Sequence, residues 1–300
     1  MSVIIDTHIH LCPRWSGSWE STSFGRVRTK AGEEMQALPP AWEDSASKPE
    51  RALAYMDWLG IERAVVLQGP LYGDQTEYTI AAVKQWPDRF AGFAWADATQ
   101  GRDAADKVER AVEAGLLGLK IEVPGQRGIN PHFSFLGEQE MLVWARLNDL
   151  HRPLVLHLSS GPDGVREAAE VRQLLDEFPR LDVVICHLGW PSNKPDSGWQ
   201  ERTLLARHER VMLDLAALPV AFSGEGYPYH SGQEALRWAI DQVGAEKIMW
   251  GSDYPLVLKY CTYPQTLDFI RDADGVLSVE ERDAIFGGNA VRMLADWESR

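Results

Sequence analysis

Cysteine is scarce in this 300-residue chain: Cys12, Cys186 and Cys261 are the whole set, with no Cys-x-x-Cys spacing. That excludes a disulfide framework and fits a reducing compartment. Cys186 reads as a core thiol inside a strand, facing away from His187. Cys12 and Cys261 follow strand ends and read as structural. Long apolar runs are missing as well. None approaches the ~18 residues that would span a bilayer, so no membrane partner is expected. No charged and apolar leader precedes the first strand, so the expected location is cytoplasmic. Basic residues are outnumbered, 30 Lys and Arg against 44 Asp and Glu, for a net charge of -14. An acidic surface of this kind speaks against nucleic acid as a partner. No Gly-x-Gly-x-x-Gly follows the first strand, which removes the usual signature of a dinucleotide-binding open sheet. Strand-strand hairpin signals are absent too.

What is present is a repeated alternation. Apolar runs near Val3–His8, Ala64–Gln68, Phe90–Trp95, Leu119–Val123, Leu154–His157, Val183–His187, Val211–Leu215 and Lys247–Trp250 read as buried strands. Between them lie helical patterns, such as Pro49–Leu59 with proline at its start and Gly60 as its stop. Further helices are expected over 74–86, 102–114, 138–150, 165–178, 198–208 and 230–243, then 263–271 and 279–297. Strict β/α alternation implies parallel strands with right-handed crossovers. Eight such units predict an α/β fold, a closed (β/α)8 TIM barrel in one domain spanning residues 1–300. Two departures are expected: a long cap-like loop over residues 11–48 after strand one, and extra helices at the C-terminus. The turn at Ser159–Pro162 and the loop at Gly189–Asp196 follow strands five and six.

The chemistry gathers at strand ends. Ile4-Ile5-Asp6-Thr7-His8-Ile9-His10 runs from apolar residues straight into His-x-His. Residues two apart on a strand share a face, so His8 and His10 should project together with Asp6 on the same side. Other strands close on His157, His187 and Asp253. In a barrel all these ends open on one face, and strands one and eight are neighbours. His8, His10, His157 and Asp253 are therefore the expected ligands of one divalent metal ion. Nitrogen and oxygen donors of this set suit zinc best, with manganese, iron, cobalt or nickel as alternatives. His187 and Asp253 are expected to handle protons. Asp214, inward on strand seven, reads as structural.

The quoted motifs, with Cys-His187-Leu-Gly-Trp-Pro191, Trp-Gly-Ser-Asp253-Tyr-Pro255 and the tail Ile285-Phe-Gly-Gly-Asn289, resemble the amidohydrolase-related family of the amidohydrolase superfamily. The resemblance spans residues 3 to about 295. It implies a metal-dependent hydrolase, with a related branch of non-oxidative decarboxylases. It also implies the same ligand set, with His187 as the catalytic histidine. In some members a carbamylated lysine on strand four bridges two metals. Lys120 stands on that strand, and substrate binding or an ion pair with Glu122 is the favoured reading for it.

The expected substrate is a small cyclic, ester or amide molecule bearing a carboxylate. The anion is suggested by the cap cations Arg14, Arg26, Arg28 and Lys30. Lys120, Glu122, Arg14, Trp190, Tyr254 and His132 are the candidate substrate-binding residues, and Trp15 and Trp19 could line an apolar pocket. A decarboxylase acting on a small unsaturated or aromatic acid is the alternative. A barrel that only binds a ligand is the third reading. The sequence leaves a homodimer open.

Overall fold

The computed structural model describes residues 3–194, 197–273 and 275–300, apart from the side chains of 125–127. Eight parallel strands follow one another around a barrel. They are β1 (Ile5–Ile9), β2 (Arg63–Val66), β3 (Phe90–Trp95), β4 (Gly118–Glu122), β5 (Leu154–His157), β6 (Val183–Ile185), β7 (Val211–Asp214) and β8 (Ile248–Met249). Each pairs with the next in sequence. The β8–β1 seam closes through the segment just beyond β8. Thr7 N donates to Trp250 O, Asp253 N to His8 O and His10 N to Tyr254 O. The fold is the expected (β/α)8 barrel.

Two apolar layers follow from the alternation of side chains along the strands. Ile5, Val65, Phe93, Val155, Val184 and Met249 fill the interior. Leu294 and Trp297 of the last helix (Asn289–Glu298) join that cluster. The larger layer, including Leu119, Leu156, Ile185 and Leu213, packs outward against the helices.

Several local expectations need correction. The segment 11–48 is no plain loop, because strands Trp19–Ser21, Arg26–Thr29 and Glu34–Gln36 form an antiparallel sheet. They are only three or four residues long, and Val27 alone of the middle strand is fully buried. Such short runs carry little periodicity. The excursion is clipped at its base by paired hydrogen bonds between Cys12 and Ser47. Ser159–Pro162 is not simply a turn, since the helix Gly161–Glu177 begins inside it with Pro162 in its first turn. A short helix at Val123–Ile129 follows β4 unforeseen. The final helix is interrupted by a π-helical turn at Ala284–Gly288. There a side chain on Gly287 would collide with the Val3 carbonyl oxygen. Of the loop after β6, Pro195 and Asp196 lie outside the described residues. Among the described residues, no helix is long and apolar enough to cross a membrane.

Candidate metal centre and active site

β1 does not alternate cleanly. Its register against β2 shifts between Asp6 and Ile9. Asp6 Oδ1 accepts the His8 and Ser252 backbone N–H groups, and Oδ2 accepts the Tyr263 hydroxyl at 2.6 Å. The irregularity turns Asp6 away from the histidines and towards the outer layer, correcting the expected shared face. Burial pushes its carboxyl up to about 6, against the pull of these hydrogen bonds.

His8, His10 and Asp253 do converge, with one donor atom from each lying within 4.8 Å of the others. Asp253 Oδ1 stands 3.0 Å from His10 Nε2 and 3.6 Å from His8 Nε2. The opposite ring nitrogens also face acceptors: His8 Nδ1 lies 3.0 Å from Asp214 Oδ2, and His10 Nδ1 lies 3.0 Å from the Leu67 carbonyl. Burial drives the His8 pKa down to about 4, outweighing the opposite pull of Asp214. His8 is therefore neutral at pH 7, with a single N–H. Given to Asp214, that hydrogen leaves a bare Nε2 lone pair facing a carboxylate. A cation between them resolves the conflict, and a carboxylate behind the imidazole is the usual support for a metal-binding histidine. The residues fit a divalent ion.

His157 is placed differently. Its ring packs against His187, with centroids 4.6 Å apart, and stacks under Trp190 at 5.7 Å. Among the described residues, it joins neither of the two sets of donors lying within 4.8 Å of one another, His8, His10 and Asp253 or His8, Cys186 and His187. Burial and then the neighbouring His187 hold its pKa well below the ordinary histidine value. His187 sits between His157 and His8, 4.9 Å from the latter. Its Nδ1 lies 2.9 Å from the Ala216 carbonyl, which assigns the hydrogen to Nδ1 and leaves Nε2 free to accept. The backbone that presents it is unusual. His187, Leu188, Trp190 and Asp253 all have positive φ, a conformation uncommon for residues other than glycine.

Cys186 is the expected core thiol, buried in the interior cluster, but that same turn corrects the expectation that it faces away from His187. β6 ends at Ile185 and the left-handed residues fold the chain back. The Cys186 sulfur then lies within 4.8 Å of donor atoms of His8 and His187. Lys120 Nζ donates to Cys186 Sγ at 3.3 Å, so the lysine is interior, as its alternation predicts. Glu122 is on the same side. Burial raises its pKa, and the charge of Lys120 partly offsets the rise. Trp190 lies against both His157 and His187, as expected of a pocket wall.

Other candidates fall away. Arg14, Arg26, Arg28 and Lys30 are exposed, and Arg26 and Arg28 face Glu34 across the small sheet. The charge of Arg26 and Arg28 is met locally by Glu34. His132 is exposed because the Val123–Ile129 helix and a turn on Asn130 carry the chain outward. Tyr254 is buried but stacks on Tyr263 and against Trp42, outside the barrel. With Asp253 inward, its neighbour points out.

Two residues gain weight. Asp214 is more than structural: Oδ2 holds His8, while Oδ1 accepts the backbone N–H of His187 at 2.8 Å and of Ala216 at 3.0 Å. Burial raises its pKa, but the charge and hydrogen bond of His8, with His187, outweigh that and hold the carboxyl below its ordinary range. Tyr72, in the loop after β2, packs on His10 with ring centroids 4.6 Å apart. Nothing in its local sequence marks it beyond its place just after a strand end.

The amidohydrolase family model matches residues 5–295. An L-fucono-1,5-lactonase from Burkholderia multivorans is 30% identical over 235 residues, covering 73% of each chain. A solved amidohydrolase from Burkholderia multivorans with bound zinc superimposes with a TM-score of 0.70 at 17% identity, over 98% of this chain and 99% of that one. The 2,6-dihydroxybenzoate decarboxylase from Rhizobium gives a TM-score of 0.67 at 18% identity, over 98% and 99%. The chain belongs to the amidohydrolase family.

Proposed function

We propose that this enzyme hydrolyses a small cyclic ester of the lactone class. His8, His10 and Asp253 would hold one divalent cation, zinc by the preference of two imidazoles and a carboxylate. The zinc in the Burkholderia multivorans relative supports that choice. The observation that carries the reading is the wedging of His8 and His10, each between two acceptors. When bound, the cation supplies Lewis acidity and a more acidic water.

The remaining work belongs to side chains. Asp253 meets both histidines through Oδ1, which leaves Oδ2 to accept a proton from the attacking water. His187, with its hydrogen on Nδ1, presents a bare Nε2 to the substrate side, where it can take up the proton first held by Asp253 and give it to the leaving ring oxygen. His157 would hold the other flank of His187 and keep its ring in place. Trp190 would form an apolar wall for the ring of the substrate. Similarity to a lactonase favours a cyclic ester over an amide.

A second reading, decarboxylation, is favoured by Lys120, whose buried ammonium could receive a substrate carboxylate. The test is metal analysis of fresh protein together with a panel of lactones and aromatic acids. One equivalent of metal with acid released from lactones supports the proposal. Carbon dioxide released from aromatic acids favours the second reading. Protein that lacks metal and gains no activity from added zinc or manganese removes both.

A further inference from the structure

Tyr72 is only 3% exposed, and its backbone is held on several sides. Its N–H donates to Gly69 O, and its carbonyl accepts Ser16 N at 3.0 Å and Gln75 Nε2 at 2.8 Å. The ring lies against His10 on one side and edge-on to Trp15 on the other, both with centroids 4.6 Å apart. The hydroxyl, by contrast, finds no hydrogen-bond partner among the described residues. Nor does the indole N–H of Trp15, a fully buried neighbour. Buried polar groups are nearly always paired, because an unpaired one loses its hydration and gains nothing. Two orphan donors on touching rings beside a metal-site histidine point to a ligand.

The surroundings say what kind. A methyl group placed on Gly69 would lie 2.9 Å from Glu122 Oε2 and 3.9 Å from the Tyr72 ring, so the carboxylate and the phenol share one corner. The phenol O–H and the indole N–H both offer a hydrogen to that corner, which an oxygen acceptor of a ligand would satisfy.

We infer that Tyr72 is a substrate-binding residue whose hydroxyl donates to an ester oxygen of an oxygen-rich ring, with the Trp15 N–H as a second donor. This rests on the lactone reading above. The hydroxyl moves no proton of its own. It orients the ester beside His10 and stabilises negative charge as it grows on oxygen.

The experiment is Tyr72→Phe in the full-length, metal-loaded protein, which keeps the ring and removes the oxygen. Hydrolysis of D-glucono-1,5-lactone and δ-valerolactone is measured, along with thermal stability and calorimetric binding of D-glucono-1,5-lactam as a slow analogue. The expected result is a loss of roughly 10- to 100-fold in kcat/KM, weaker lactam binding, and a melting temperature equal to or above wild type. Activity and lactam binding within twofold of wild type overturn the inference. So does a melting temperature lowered by more than about 4 °C, since the hydroxyl would then have been serving the fold. Wild-type protein that neither hydrolyses lactones nor binds the lactam overturns the lactone reading itself, and this inference with it.

Discussion

Asp214 grips His8 from behind: Oδ2 lies 3.0 Å from Nδ1, on the side of the imidazole opposite Asp253. Its other oxygen accepts two backbone N–H groups, so an amide nitrogen cannot take that place. In Asp214→Asn the NH2 must therefore face His8, driving the ring hydrogen to Nε2 and away from metal-binding duty. Metal affinity should fall roughly 10- to 100-fold, read by competition with a chelating dye. Unchanged affinity would show that the carboxylate does not set the tautomer.

Gly251 lies where a side chain has no room. A methyl group there would stand 2.9 Å from His8 Cβ and 3.3 Å from Ala216 Cβ. Gly251→Ala should cost about 1–3 kcal/mol of stability by overpacking and reduce activity by displacing His8. Urea unfolding and steady-state rates check both. A variant that matches wild type in each refutes this account of the seam.

Asp6 gives a pH signature. Its folded pKa is near 6, raised by burial from an ordinary 3.8, so the folded state holds its proton more tightly than the unfolded chain does. That contribution is complete below pH ~3.8 and is lost as pH rises through about 6. Asp6→Asn removes it. The stability of the variant relative to wild type should climb by up to about 3 kcal/mol between pH 4 and 7. Parallel wild-type and variant curves across that range would contradict the buried charge.

Removing metal should destabilise the protein as well as silence it. Without a cation, the lone pairs of His8 and His10 meet the Asp253 carboxylate directly. Dialysis against a chelator is expected to lower the melting temperature by several degrees, and zinc should restore it. His10→Ala should show no such response to chelator. Equal melting curves for treated and untreated wild type count against an occupied site.

Much of this was legible in the sequence. Apolar runs ending on His8, His10, His187 and Asp253 placed four candidate side chains at one mouth, because strand direction alone decides which end faces which way. What escaped was set by departures from regular geometry. A one-residue irregularity redirected Asp6, and a left-handed turn brought Cys186 beside His187. The reach of His157 depends on ring packing against His187 and Trp190, which strand position does not specify. The pairing of Arg26 and Arg28 was hidden because a run of cations does not reveal an acid a few residues on, Glu34, folded back across from them. Tyr72 was silent because its significance lies in an unmade hydrogen bond.

The seam between β8 and β1 joins residues 243 positions apart, and the same junction brings Asp253 to His10. Ring closure and assembly of the reactive centre are thus a single event. A nascent chain carries no partial activity until its last strand arrives, and a fragment missing either end has nothing to retain. Any cut that frees the first strand should abolish turnover in one step, however intact the remaining helices stay.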